Sequence, residues 1–147
     1  MTKVAIALGS NLGDRAAHLN FAIERLRATL SNSRVSSFHD TEPVGVPDEQ
    51  PRYLNAVVVG ETELSPEALL HALLAVERER GRTRPSVRAA RTLDLDLILY
   101  GGEVFTSEHL TIPHPRFRDR RFVLEPLAEI APELIDPVTG HAVGDLL

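Results

Sequence analysis

A chain of 147 residues with an apolar fraction of 43% is long enough for one globular domain with its own core, and we treat residues 1–147 as a single domain. Its net charge of −5 argues against general binding to nucleic acid or to an anionic membrane. The absence of cysteine excludes disulfides and thiolate metal sites, and no apolar run approaches the ~20 residues of a membrane-spanning helix. No secretory signal pattern is visible, so we expect a cytoplasmic protein.

The first third of the chain predicts a strand, a turn, a helix and a second strand. Residues 4–8 form an apolar run typical of a buried strand. The turn Gly9-Ser10-Asn11-Leu12-Gly13 follows; such a turn is more often structural than a phosphate cradle. Asp14 is placed to cap the helix that comes next. Residues 35–41 predict the second strand.

A long irregular loop then precedes a third strand. Three prolines and a glycine fall within residues 42–52, and loops of this length are often binding loops. Residues 53–60 predict the strand, with Tyr53 and Asn55 on one face. An aromatic ring beside an amide suits recognition of a flat heterocycle, although an edge tyrosine and a turn-capping asparagine fit composition equally well.

The second half predicts the remaining elements. A helix starts at Ser65-Pro66-Glu67 and ends near Gly81, and a basic loop without periodicity fills residues 82–91. Leu93, Leu95, Leu97 and Leu99 alternate with Thr92, Asp94, Asp96 and Ile98, which predicts a strand with one apolar face. Further predicted elements are a short strand at residues 104–105, an extended segment at 110–115 and a helix at 118–130.

The order β-α-β-β-α-β predicts an α+β fold of the ferredoxin-like sandwich class. Such a fold has a core of four antiparallel strands. We expect its helices on one face of the sheet and loops of an active site on the other.

Asp94 and Asp96 project from the same face of the predicted strand. Two adjacent carboxylates repel unless a cation lies between them, and a pair of this kind suits Mg²⁺ that also binds substrate phosphates. A solvated strand face is the simpler interpretation of an isolated Asp-x-Asp.

Arginines around the acidic pair favour the metal site. Of 16 basic residues, Lys3 is the single lysine, and ten arginines flank the pair in two clusters. Those before it are Arg78, Arg80, Arg82, Arg84, Arg88 and Arg91, and those after it are Arg116, Arg118, Arg120 and Arg121. Because the guanidinium fork matches phosphate oxygens, this pattern indicates a polyphosphate site. A general preference for arginine explains their number but not their clustering.

Several motifs together resemble the 6-hydroxymethyl-7,8-dihydropterin pyrophosphokinases. These are the Gly9–Gly13 turn, Tyr53-Leu54-Asn55-Ala56, Glu77 with Gly81-Arg82-Thr83-Arg84, Arg91-Thr92-Leu93-Asp94-Leu95-Asp96, and Pro113-His114-Pro115. The resemblance runs in order along nearly the whole chain. It implies transfer of the diphosphate of ATP to a reduced pterin in folate biosynthesis, giving AMP, in a protein that we expect to be monomeric.

The resemblance also implies roles for individual residues. Two Mg²⁺ ions would bind Asp94 and Asp96, and Arg82 and Arg91 would neutralise the transferring group. The pterin would contact Thr41, Val44, Tyr53, Asn55 and Phe122. The residues implied for ATP are Glu77, Arg84, Leu97, Thr111, His114 and Arg120. Family members often carry Arg-Trp-Gly-Pro-Arg before the acidic motif, whereas this chain has Arg88-Ala89-Ala90-Arg91, which lacks the covering tryptophan.

Three other functions fit parts of this sequence pattern. A ferredoxin-like binding module would keep the fold but would not need arginines around an acidic pair. A module for single-stranded RNA would need an aromatic string that is missing here and a less acidic chain. A Mg²⁺-dependent nucleotidyl transferase is the nearest enzymatic rival, and it would release pyrophosphate rather than AMP.

Overall fold

The computed structural model describes residues 1–42, 52–80 and 92–147. Strands and helices in these ranges follow the order β1 Thr2–Ser10, α1 Arg15–Thr29, β2 Ser31–Val35, β3 His39–Thr41, β4 Tyr53–Thr62, α2 Pro66–Glu79, β5 Asp94–Tyr100, β6 Phe105–Thr106, β7 Thr111–Ile112 and α3 Arg121–Ile130. Short 3-10 helices lie at Phe117–Asp119 and Val143–Leu146. No helix in the described ranges is long and apolar enough to span a membrane.

The main sheet is antiparallel and has the strand order β2-β4-β1-β5, with β3 pairing to the other end of β4. Strands β6 and β7 form a separate small hairpin. Together with the helices, this antiparallel sheet confirms the predicted ferredoxin-like α+β fold.

Helices α1 and α2 cover one face of this sheet. Asp14 caps α1 by accepting a hydrogen bond from the Ala17 amide at 3.1 Å, and Ser65 Oγ accepts from the Ala68 amide at 3.2 Å at the start of α2. The side chains buried between helices and sheet include Leu19, Leu26, Leu69 and Leu73 from the helices and Val4, Ile6, Leu8, Ala56, Val58, Leu95 and Leu97 from the strands. The predicted cap at Asp14 is confirmed, and Ser65 caps the helix that is predicted to start at Ser65-Pro66-Glu67.

Helix α3 lies on the opposite face, where the sequence had predicted only loops. Val123, Leu124 and Leu127 pack against strand residues such as Val57 and Leu99, and Phe117 and Val143 complete this second cluster. The helix begins at Arg121 and not at residue 118, because residues Phe117–Asp119 form the 3-10 turn. An amphipathic segment that follows the sheet can cover whichever face is still open, so the periodicity alone did not assign its side.

A β-bulge in β5 shows that one prediction for this strand is wrong, namely that its four leucines share one apolar face. Ala5 pairs with Leu99 and Ile6 with Leu97, so Ile98 is an extra residue. Because side chains alternate along a strand, this insertion moves Leu99 to the α3 face, away from Leu95 and Leu97. The four leucines therefore do not share one face.

The predicted strand at residues 35–41 is also two strands. Val35 pairs with Val58 and His39 with Asn55, so three residues of this segment oppose two residues of β4. Ser36 fills the irregular site, since its Oγ accepts a hydrogen bond from the Val57 amide at 2.9 Å. After this irregularity, β3 pairs with the first residues of β4, from Tyr53 to Asn55.

Candidate active site

Helix α3 covers only part of its sheet face, and a cleft of about 960 Å³ opens where the cover ends. Strands β1, β4 and β5 supply one wall, and the segment before α3 together with its first turn supplies another. The predicted residues that line this cleft are Thr41, Tyr53, Asn55, Asp94, Asp96, His114, Arg120 and Phe122.

Asn55 is held at the base of the cleft. It is 5% exposed, and its Nδ2 donates a hydrogen bond to Thr41 Oγ1 at 2.6 Å. The amide retains an acceptor and a second N–H, and the threonine hydroxyl retains its proton. Gly9 makes room for this group, because a Cβ at that position would lie 3.2 Å from Asn55 Oδ1. The site therefore offers donors and an acceptor to the edge of a flat ring.

Two aromatic side chains reach the same cleft from different elements. Tyr53 lies at the first position of β4, and Phe122 lies in the first turn of α3. The guanidinium of Arg120 lies 5.5 Å from the centroid of the Phe122 ring. Rings from two sides of a cleft can stack on a planar ligand.

The acidic pair lies beside these groups on β5. Asp94 pairs with Gly9 and Asp96 with Ala7 on β1, so both carboxylates stand on the cleft face. Within the described residues, no three His, Asp or Glu side chains converge as a metal site. A pair of carboxylates suits Mg²⁺, which keeps several waters and also binds substrate phosphates. The donor set therefore fits the implied metal.

His114 follows a cis Ile112–Pro113 bond and is tied to the bulge in β5. Its amide donates to the Ile98 carbonyl at 2.9 Å, and its Nδ1 accepts from the Arg116 amide at 3.1 Å. Burial lowers the pKa of His114, and Arg120 and Arg116 lower it further, against the opposing charge of Asp96. The neutral ring therefore carries its proton on Nε2, where it can donate to an anionic oxygen.

A second cavity of about 350 Å³ adjoins the cleft. Leu97, Thr111 and His114, all predicted for ATP, line it, and Asp96 and His114 line both cavities. The structure adds lining residues for which the sequence predicted no role: Leu70, Leu95, Ser107, Glu108, His109, Leu110 and Pro115. A nucleoside and a heterocycle bound in these two cavities would meet at the acidic pair.

Glu77 lies behind β5. It is 4% exposed, and its Oε2 accepts a hydrogen bond from the Leu95 amide at 2.7 Å. Leu95 lines the smaller cavity, so this hydrogen bond places Glu77 near that cavity. Its role in binding ATP stays a prediction.

Four predicted site residues, Val44, Arg82, Arg84 and Arg91, lie outside the described residues, as does the departure at Ala89-Ala90. The residues on either side of the segment that contains Val44, up to 42 and from 52 onward, are described. Asp40 Oδ2 accepts from Arg15 Nη2 at 3.1 Å, Asp40 Oδ1 accepts from Arg52 Nε at 2.8 Å, and these contacts lower the pKa of Asp40. No local sequence pattern indicates this link, because its partners are far apart in the chain.

The family model described as 7,8-dihydro-6-hydroxymethylpterin-pyrophosphokinase (HPPK) matches residues 5–132. This chain belongs to the HPPK family. The predicted family resemblance is therefore confirmed.

Relatives of the HPPK chain include two bacterial proteins named 2-amino-4-hydroxy-6-hydroxymethyldihydropteridine pyrophosphokinase. That of Haemophilus influenzae is 46% identical over 140 residues, covering 93% of this chain and 86% of the relative. That of Bacillus subtilis is 44% identical over 137 residues, covering 92% and 81%. The folic acid synthesis protein fol1 of Pneumocystis carinii is 40% identical over 141 residues, which are 95% of this chain and 19% of that protein.

Solved structures of HPPK-DHPS share the fold. One of them, in complex with substrates, matches with a TM-score of 0.77 at 12% identity, over 99% of this chain and 42% of that one. A Plasmodium falciparum HPPK-DHPS structure matches with a TM-score of 0.78 at 14% identity, over 99% and 44%. The chain thus spans less than half of each solved chain, and at this identity the likeness concerns the fold alone.

Proposed function

We propose that the two cavities form one active site, in which the larger cleft binds a reduced pterin and the smaller cavity binds the nucleoside of ATP. The observation that carries this proposal is the position of Asp96 and His114, which line both cavities. Phosphates that join the two ligands would pass these residues.

The reaction follows from the family. The chain is an ATP-dependent diphosphotransferase that transfers the pyrophosphoryl group of ATP to 6-hydroxymethyl-7,8-dihydropterin in folate synthesis. In the direct route that we propose, the hydroxymethyl oxygen forms a bond to the β-phosphorus. The bond from this phosphorus to the oxygen shared with the α-phosphate breaks, AMP leaves with that oxygen, and the hydroxyl proton is lost to water.

Each protein group supports this displacement by positioning or by charge. Tyr53 and Phe122 would stack on the pterin, and Asn55 with Thr41 would hydrogen-bond to its edge. His114, neutral with its proton on Nε2, would donate to a phosphate oxygen, and Arg120 would neutralise charge beside it. The described site contains no obvious general base for the hydroxyl, and catalysis by positioning and charge neutralisation is sufficient for phosphoryl-type transfer.

Asp94 and Asp96 would hold two Mg²⁺ ions. When bound, the metal would neutralise phosphate charge and align the two reacting oxygens. The support is the chemistry of the donors, which are hard carboxylate oxygens on one strand face that lines the cleft. Titration calorimetry of a non-hydrolysable ATP analogue at increasing Mg²⁺ would measure the stoichiometry.

A product assay tests the proposed function. The chain is incubated with ATP, Mg²⁺ and 6-hydroxymethyl-7,8-dihydropterin, and the nucleotide product is separated and identified. AMP with pterin diphosphate is the expected pair, and free pyrophosphate with a nucleotidylated pterin would instead support the nucleotidyl transferase. Asp96→Asn, which removes a charge but little volume, is the control for contaminating activity.

We also propose that residues 1–147 act as one pyrophosphokinase domain, as a monomer in the cytoplasm. The two apolar clusters share the strands β1, β4 and β5, which supports one folding unit. Light scattering after size-exclusion chromatography measures the mass in solution, and cell fractionation measures the location.

A further inference from the structure

Four arginines between residues 116 and 121 have different partners. Arg118 donates through Nε and Nη2 to the two oxygens of Asp136, the Nη2 bond being 2.9 Å long. Arg121 donates to Glu125 at 2.9 Å, and Arg120 lies over the Phe122 ring. Within the described ranges, the Arg116 guanidinium forms no ion pair, yet Arg116 lines the cleft. Its charge is therefore available to a ligand.

The local backbone explains why Arg116 faces the cleft. Phe117 is fully buried, and Arg118 is bound to an Asp136 side chain that is 0% exposed. These two neighbours fix the 3-10 turn against the core. Side chains three residues apart eclipse in a 3-10 helix, so Arg116 and Asp119 share a side of the turn, and both line the cleft.

The position of Arg116 relative to the two cavities indicates which part of a nucleotide it would meet. Asp96 and His114 line both cavities, whereas Arg116 lines only the larger one, with Tyr53 and Asn55. Its amide donates to His114 Nδ1, so the residue adjoins the junction. On the assignment of the cavities above, the β- and γ-phosphates lie toward Arg116 and the α-phosphate lies beyond the junction.

We propose that Arg116 is a further catalytic residue, which binds the diphosphate group that is transferred and then stays with it in the pterin diphosphate product. This rests on the proposed function for the direction of transfer. A guanidinium can form two parallel hydrogen bonds to phosphate oxygens, and its charge offsets the charge of the transferring group. AMP lacks the two phosphates that Arg116 would contact.

The affinities for two nucleotides distinguish binding of the transferred diphosphate from a contribution of Arg116 to the binding of any nucleotide. With Mg²⁺ present, calorimetry measures the affinity of the wild type and of Arg116→Ala for an α,β-methylene analogue of ATP and for AMP. We expect Arg116→Ala to lower the affinity for the analogue by about ten-fold or more, since one charge-assisted contact to its phosphates is lost. The affinity for AMP should fall by less than about two-fold. Turnover of ATP and pterin is expected to fall at least as far. Arg116→Lys, which keeps the charge but not the fork, should recover part of both losses.

Arg27→Ala is the matched control for net charge, because Arg27 lies on α1, outside both cavities, and pairs with Glu24. It should leave both affinities unchanged. Equal loss of analogue and AMP in Arg116→Ala, no loss of the analogue, or the same loss in Arg27→Ala would each overturn the inference. If the wild type binds the analogue but releases no AMP from ATP and the pterin, the proposed function is contradicted. The comparison of the two nucleotide affinities would still decide the role of Arg116.

Discussion

The two faces of the main sheet are built from the same strands but differ in how they are covered. Helices α1 and α2 bury the strand residues of one face, including Ile6, Val58 and Leu95. On the other face, α3 buries Val57 and Leu99, while the other ends of the same strands carry residues that line the cleft.

The difference shows how one sheet can serve stability and chemistry together. Along β4, the cleft-side face begins with Tyr53 and Asn55 and continues with Val57 and Val59 under α3. On β5, Asp94 and Asp96 precede the bulge and Leu99 follows it. The ends of the strands under α3 anchor the ends that line the cleft, so polar side chains such as Asp94 and Asp96 can be held in place while they face the cleft.

The cleft face and the helix-covered face of the sheet give the largest expected contrast. Asp96→Ala should reduce turnover to less than about a tenth of the wild-type rate, which corresponds to more than ~1.4 kcal/mol in the barrier, and leave the thermal unfolding midpoint nearly unchanged. Asp94→Ala should behave alike. Ile6→Ala, on the helix-covered face of β1 and outside both cavities, should instead lower the free energy of unfolding by about 2–5 kcal/mol. Retained activity in either aspartate variant would remove the case for a metal pair.

Tyr53 and Phe122 lie in the cleft, whereas Val57 lies on the same face of the sheet under α3. Tyr53→Ala and Phe122→Ala should each weaken pterin binding by about 1–3 kcal/mol, by analogy with base–aromatic stacking, and change ATP binding little. Val57→Ala, farther along β4, should lower stability and leave the affinity of the folded protein unchanged. Fluorescence titration with the pterin and calorimetry with the ATP analogue measure the two affinities. Equal losses for both ligands would mean that the rings support the fold.

On the α3 side of the sheet, the buried carboxylate of Asp136 pairs with Arg118. Its hydrogen bonds from Arg118, with further ones from the Val138 amide and Thr139, lower the pKa of Asp136 to about 2. Because the folded pKa lies below the ordinary value, the stabilisation is fully present above about pH 4 and is lost as the pH falls through about 2. The shift corresponds to about 2 kcal/mol.

Urea unfolding of the wild type and Asp136→Asn measures this effect. The stability difference between the two proteins should be largest above pH 4 and shrink steadily toward pH 2. Glu125→Gln, which removes a carboxylate in an exposed pair with Arg121, serves as the control and should show a small difference at every pH. A constant difference for Asp136→Asn would show that its ion pair is not the source of the pH dependence.

The smallest expected effect is at Gly9. A Cβ there would lie 3.2 Å from Asn55 Oδ1 and 3.6 Å from the Tyr53 ring, so Gly9→Ala must displace the amide by a few tenths of an ångström. We expect pterin affinity to fall by about 0.5–1.5 kcal/mol, as for a side chain moved off its preferred rotamer, with little change in the unfolding midpoint. Gly102→Ala, where a Cβ meets nothing within 4 Å, is the matched control. Unchanged pterin binding would mean that Asn55 has room to adjust.

Local sequence patterns predicted much of the fold because the signals they use are local. Asp14 and Ser65 mark helix starts through hydrogen bonds to amides three residues away, and the alternation around Asp94 and Asp96 predicted a strand with both carboxylates on one face. These predictions need no knowledge of the rest of the chain. The patterns failed where pairing with another strand changes the register, as at Ile98 and at Ser36.

For the site, the sequence alone determined the identity of the chemistry: an acidic pair, clustered arginines, an aromatic beside an amide, and motifs whose order indicated the HPPK family. The tertiary structure decided how these groups are used. Helix α3 covers part of one sheet face, and Asp96 and His114 lie between the two cavities. Arg118 binds Asp136, while Arg116 faces the cleft. The physical reason is that residue type and spacing fix which local interactions are possible. Which of several equivalent arginines meets a carboxylate, and which meets a cleft, depends on contacts between segments far apart in the chain.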